Sequence, residues 1–125
     1  MSEKPCPFCE IVAGRAPATW AVAPDYWPDA VAFVPLNPVT EGHTLVVPKT
    51  HVRDFADDPA VSAVAMRRAA ELVRWSPRPM NLITSKGVEA TQSVFHLHLH
   101  LVPRAENDGL ALPWYSGRSG KAGKR

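Results

Sequence analysis

The sequence predicts an α+β domain in which an antiparallel sheet of about five strands is packed with one long and one short helix. Three observations predict it. Short β-rich runs recur between prolines, one central stretch repeats its apolar residues every 3.6 positions, and Phe95 to Val102 alternates apolar and polar residues almost without a break. Short strands of this kind mostly return antiparallel.

The elements follow in order. A short helix is expected at Pro7 to Ala13, stopped by Gly14 and followed by a turn at Pro17. Thr19 to Ala23 reads as a weak strand and Ala30 to Pro35 as a better one. Thr44 to Pro48, T-L-V-V-P, is the best of the three, because β-branched residues suit a pleated surface. Asp58-Pro59 has the form of an N-cap followed by proline at the first helical position, where the missing N–H costs nothing. The long helix should run to about Trp75, with Val61, Val64, Ala65, Ala69, Leu72 and Trp75 on one stripe. Arg68 intrudes on that stripe, and its stem is expected to lie on apolar surface with its head in water. Ser76-Pro77 ends the helix. Met80 to Ser85 and Val94 to Val102 are the last two strands.

A chain of 125 residues is one domain's worth. With 46% hydrophobic and 21% charged residues it can bury a core, which excludes a disordered chain, and thirteen prolines disfavour long helices. The domain is read as residues 1–115, and 116–125 as a flexible basic tail. Arg118, Lys121, Lys124 and Arg125 carry four of the fourteen positive charges; without them ten face twelve acids, a balance of −2 that is no footprint for nucleic acid. No apolar run approaches the roughly 18 residues of a membrane span, and Met1 to Glu10 lacks a secretory segment, so the expected location is cytoplasmic. In such a compartment Cys6 and Cys9 are thiols for a metal or redox role rather than a structural disulfide.

The chemistry concentrates in F-H-L-H-L-H-L-V. Alternation puts His96, His98 and His100 on one face and Phe95, Leu97, Leu99 and Leu101 on the other, with the imidazole-bearing Cα atoms ~7 Å apart. Three imidazoles at that spacing suit a metal or a phosphate-like anion. A single strand histidine is often incidental, and an affinity tag also concentrates histidines. A tag, however, sits at a terminus without intervening leucines, and the two remaining histidines, His43 and His51, flank the Thr44 strand.

These blocks resemble the histidine-triad, or HIT, family of nucleotide hydrolases and transferases. The resemblance covers C-P-F-C-E-I-V-A-G-R-A-P-A at Cys6 to Ala18, A-F at Ala32-Phe33, G-H-T-L-V-V-P-K-T-H at Gly42 to His51, and Q-S-V-F-H-L-H-L-H-L-V-P-R at Gln92 to Arg104. It implies a HIT-like fold and a homodimer whose sheets pair edge to edge. It also implies that His98 attacks the α-phosphorus of a nucleotide and forms a nucleotidyl-imidazole that water cleaves. His100 would donate to a departing or non-bridging oxygen, and His43 would support the phosphate. Ser93 and Gln92 would add polar groups to the phosphate cradle. Ile11, Phe33 and Leu36 would wall the base, although apolar residues at strand spacing are also ordinary core.

In the zinc-bearing branch of that family, His51 and His96 complete a structural Cys2His2 zinc site with Cys6 and Cys9, whose C-x-x-C spacing is that of half a tetrahedral site. A redox C-x-x-C expects a preceding strand that this sequence does not provide, and two thiols without a role are the remaining alternative. Three departures stand out. Pro35 replaces an aspartate that usually accepts from ribose, Ser85-Lys86-Gly87 replaces N-x-G, and Thr91 replaces a frequent glycine. Together they suggest altered substrate preference, weak turnover, or a nucleotide-binding module. A nucleic-acid binder acting through the basic tail is a third reading.

Overall fold

The structure, a computed structural model, describes residues 5–118. The elements run α1 (Pro7–Val12), β1 (Thr19–Trp20), β2 (Ala30–Val34), β3 (Thr44–Pro48), α2 (Pro59–Val73), β4 (Met80–Ile83) and β5 (Leu99–Pro103), with a single 3-10 turn at Val88–Ala90. The five strands form one sheet in the order β1-β2-β3-β5-β4, and every pairing is antiparallel. The expected α+β class and strand number are both present.

Each helix starts where capping chemistry allows it. Asp58 accepts the Ala60 amide at 3.0 Å and Pro59 opens α2. Cys6 caps α1, its sulfur accepting the Cys9 amide at 3.4 Å. The sheet is apolar on both faces, so each face needs cover. Ala65 and Ala69 of α2 press small side chains onto Ala32, Val46, Leu97, Leu99 and Leu101. On the opposite face Phe8 of α1 packs with Val31, Phe33, Leu45 and Val47.

Several local expectations are corrected. The histidine strand does not begin at Val94; the ladder starts only at Leu99, opposite Val46. Beyond that pair the Leu97 amide donates to the Val52 carbonyl at 2.9 Å, and the Pro48 carbonyl accepts from the His96 ring at 2.8 Å instead of from a strand amide. The alternation survives the change, because Leu97 still enters the α2 core while His96 faces away from it. α2 stops at Val73 because Pro77 disfavours helical geometry just before it. Trp75 therefore leaves the stripe and is 83% exposed, with the Arg74 guanidinium 4.8 Å from its ring.

Arg68 does not put its head in water. Nε and Nη2 donate to the two carboxylate oxygens of Asp29 at 2.8 and 3.1 Å, and Nη1 donates to Glu71 at 2.8 Å. The planar fork matches a carboxylate placed just ahead of β2, and that hydrogen bonding holds the Asp29 carboxyl below its ordinary range.

β1 keeps only two paired residues. The long-range order continues past Tyr115, since the Gly117 carbonyl accepts the Gly109 amide at 2.8 Å. Gly117 has φ 94°, and a Cβ there would lie 2.6 Å from the Gly109 backbone, so only glycine closes this loop. Residues 119–125 of the expected tail lie outside the described residues. No helix among the described residues is long and apolar enough to cross a membrane.

Candidate functional site

All five histidines gather on the α1 side of the sheet in two adjoining groups. His43, His98 and His100 form one. His98 and His100 have ring centroids 5.1 Å apart, and His43 and His100 5.2 Å. Their hydrogen bonds fix which nitrogen holds each proton. The His98 Nδ1 lies 2.8 Å from the His96 carbonyl, which can only accept, so Nδ1 carries the proton and Nε2 keeps its lone pair. His43 Nδ1 accepts the Val39 amide at 3.0 Å, which puts the His43 proton on Nε2. That Nε2–H donates to His100 Nδ1 at 3.0 Å, leaving the His100 proton on Nε2. One ring thus offers a lone pair and its neighbour an N–H.

Burial keeps these rings neutral. Desolvation lowers the pKa of His43 and of His98, and His100 is pushed down to about 4 by burial and then by the nearby His98 and His43 charges. Near pH 7 the group is therefore a preset donor and acceptor array rather than a cluster of cations.

His98 is held on further sides. The Thr84 hydroxyl donates to its backbone carbonyl at 2.8 Å, and the Phe8 ring meets its imidazole edge-on at 5.0 Å. Neither Thr84 nor the Val39 amide is signalled by the sequence, because Thr84 acts on a backbone carbonyl fourteen residues away and Val39 acts through its backbone N–H. Ser93 is exposed on the loop preceding the histidines. Gln92 is buried and differs from the cradle expectation: its Oε1 accepts the Gly87 amide at 2.8 Å, while its Nε2 donates to the carbonyls of Arg53 at 2.8 Å and Val94 at 3.2 Å. Both amide protons are committed to the loop. The adjoining Thr91 has φ 72°, a left-handed conformation that a β-branched residue rarely adopts.

Of the apolar candidates, Phe33 is 3% exposed and packs edge-on against Phe8 and Trp20, with centroids 5.4 and 6.1 Å away. Ile11 is half-buried beside the same cluster. Leu36 is 98% exposed.

The second group is Cys6, Cys9, His51 and His96, whose four donor atoms lie within 4.8 Å of one another. His96 Nδ1 is 3.4 and 3.5 Å from the two sulfurs and 3.1 Å from His51 Nδ1, and Cys9 Sγ is 3.3 Å from His51 Nδ1. A tetrahedral ion with bonds of ~2.3 Å to sulfur and ~2.0 Å to nitrogen separates its donors by about 3.3–3.8 Å. The set is therefore close to coordination spacing. His96 is also oriented for the task, since its Nε2 sits 2.8 Å from the Pro48 carbonyl and must hold the proton, leaving Nδ1 free as ligand. Burial first, then the hydrogen bond and charge of Cys6, push the Cys9 thiol up to about 11. That shift belongs to the site without an ion, since a bound metal takes the thiolate; it is the spacing and type of the four donors that let these residues hold a metal.

An imidazole row with a preset proton order, built on a five-stranded antiparallel sheet beside a Cys2His2 cluster, defines a histidine-triad protein. The HIT domain family matches residues 26–107, and the chain belongs to it. It is 36% identical over 116 residues to the protein named Protein hit of Bacillus subtilis, covering 87% of this chain and 78% of that one. It is 30% identical over 111 residues to adenylylsulfatase HINT3 of Arabidopsis thaliana, covering 84% of this chain and 55% of the relative. The crystal structure of a HIT family protein from Bacillus anthracis superposes with a TM-score of 0.77 at 33% identity, covering 92% of this chain and 84% of that one.

Proposed function

We propose that this protein hydrolyses or transfers a nucleoside monophosphoryl group through a covalent nucleotidyl-histidine at His98. The observation that carries the reading is the proton order of the triad: His98 Nδ1 donates to the His96 carbonyl, so its Nε2 lone pair is available to attack. Attack forms a bond from Nε2 to the α-phosphorus and breaks the bond to the leaving group, which takes a proton from solvent. His98 keeps its Nδ1–H on the His96 carbonyl as its ring becomes cationic. His100 Nε2–H donates to a phosphoryl oxygen, and His43 fixes that donor's direction. Water then displaces the imidazole and releases a proton. The name of the adenylylsulfatase relative belongs to the same reaction class.

Zinc is the ion that the Cys2His2 donor set suits, and with four protein ligands it would be structural. Ser93 would meet the phosphate, while Gln92 holds the loop that carries it. Ile11, Phe33 and Leu36 would border the base. Homodimerisation through β4 fits an outer strand whose Leu82 and Ile83 are 37% and 40% exposed. A cytoplasmic location suits a thiolate metal centre.

The test is turnover of adenylate and guanylate phosphoramidates and dinucleoside polyphosphates by the wild type and by His98→Ala. Product release that vanishes in a folded His98→Ala variant supports the reading. Ligand-induced stabilisation without product from any member of the panel would favour a binding module, to which Pro35 and Thr91 lend weight.

A further inference from the structure

The metal cluster and the triad share a segment of chain. His96 presents Nδ1 to Cys6, Cys9 and His51, while its own carbonyl holds the His98 Nδ1–H at 2.8 Å. Phe8 lies between the two cysteines in sequence, and its ring is edge-on to His98 at 5.0 Å and to His96 at 6.0 Å. The helix that carries Phe8 has only six residues, too few to persist without outside support. Its support includes its burial and the clasp at Cys6 and Cys9.

We propose that the Cys6-Pro7-Phe8-Cys9 turn makes the metal centre a positioning device for the attacking ring. Metal held by the two cysteines and two histidines fixes Phe8 and the His96 carbonyl, and these two fix the direction of His98 Nε2. Phe8 is then a positioning residue with no contact to the reacting phosphorus. The inference rests on the reading of His98 given above. It adds that metal loss lowers the chemical step and leaves nucleotide affinity nearly intact, because a ring misaimed by a fraction of an ångström still sits in the site.

The experiment compares zinc-replete protein, chelator-stripped protein and zinc-replete Phe8→Leu. Leucine keeps much of the apolar bulk and lacks a ring edge. Three quantities are read: zinc stoichiometry, the nitrogen-resolved resonance of the His98 Nδ1–H, and kcat and KM for adenosine 5′-phosphoramidate. Stripping should broaden or abolish the resonance, lower kcat by at least about tenfold and change KM by less than about threefold. Phe8→Leu should reproduce the kcat loss with one zinc still bound, and Phe8→Tyr should recover most of it. If stripping unfolds the chain, zinc-bound Phe8→Leu alone decides. A stripped, folded protein that keeps the resonance and kcat would overturn the coupling, as would a Phe8→Leu variant whose KM rises at constant kcat, the mark of a substrate wall. Should the wild type turn over no substrate, the reading of His98 as nucleophile fails, and the resonance by itself still decides whether metal governs the ring.

Discussion

Replacing Thr91 by glycine should stabilise the protein. Thr91 sits at φ 72° and ψ 21°, is exposed, and immediately precedes Gln92 and Ser93. A left-handed conformation costs an L-residue about 1–2 kcal/mol, and the upper half of that range suits a β-branched side chain. Taking ~1.5 kcal/mol as the strain released and ~0.7 kcal/mol as the extra backbone entropy glycine loses on folding leaves about 0.8 kcal/mol in favour of the variant. No buried surface is lost, and among the described residues the hydroxyl donates only to the adjacent Ala90 carbonyl. For a domain of this size the gain corresponds to a rise in Tm of about 2–4 °C. Thermal and urea denaturation of wild type, Thr91→Gly and Thr91→Ala provide the assay. Alanine keeps the strained φ and should gain little. A glycine variant that melts below the wild type, or an alanine variant that gains as much, would refute the reasoning.

Thr84→Val removes the hydroxyl that holds the His98 carbonyl and should cost ~1 kcal/mol of positioning, a fall in kcat of about fivefold with the fold intact, checked by steady-state kinetics and circular dichroism. Stability should decline below neutrality in two windows, measured by urea titration at each pH. His100 titrates near 4 when folded and near ~6.5 when unfolded, so the unfolded chain binds more protons between those values and His100→Asn should flatten the slope there. Asp29 and Asp108 are held below the ordinary carboxyl range by Arg68 and Arg104; their contribution is full above about pH 4 and is lost as pH falls below it, so Asp29→Asn should lie under the wild type at pH 6 and converge with it at low pH. Ile83→Lys on the outer strand should convert a dimer to monomer in light scattering, and a wild type already monomeric would remove that surface from consideration.

The fold was legible because its signals are local. The Thr44–Pro48 strand, the Asp58 cap and the start of α2 depend on residue type and spacing, and all three stand where the sequence puts them. Boundaries set by distant partners were not. The ladder on β5 begins at Leu99 because the Leu97 amide is taken by the Val52 carbonyl and the Pro48 carbonyl by the His96 ring, and Trp75 leaves the helix stripe because of a proline two residues on. At the site, the alternation of His96, His98 and His100 with leucines shows which residues share a face. The sequence does not show how His43 inherits its tautomer from the Val39 amide, since a backbone N–H leaves no trace in residue type. Nor does it show that the Gln92 amide bonds the Gly87, Arg53 and Val94 backbone, because those partners too are main-chain groups.

Intact mass spectrometry of the protein mixed with adenosine 5′-phosphoramidate and quenched in alkali, where phosphoryl-imidazole bonds survive better than in acid, tests the nucleophile most directly. An adenylyl increment that maps to His98 and is absent in His98→Ala is the predicted result. An increment on any other side chain, or product formed by folded His98→Ala at the wild-type rate, would contradict it.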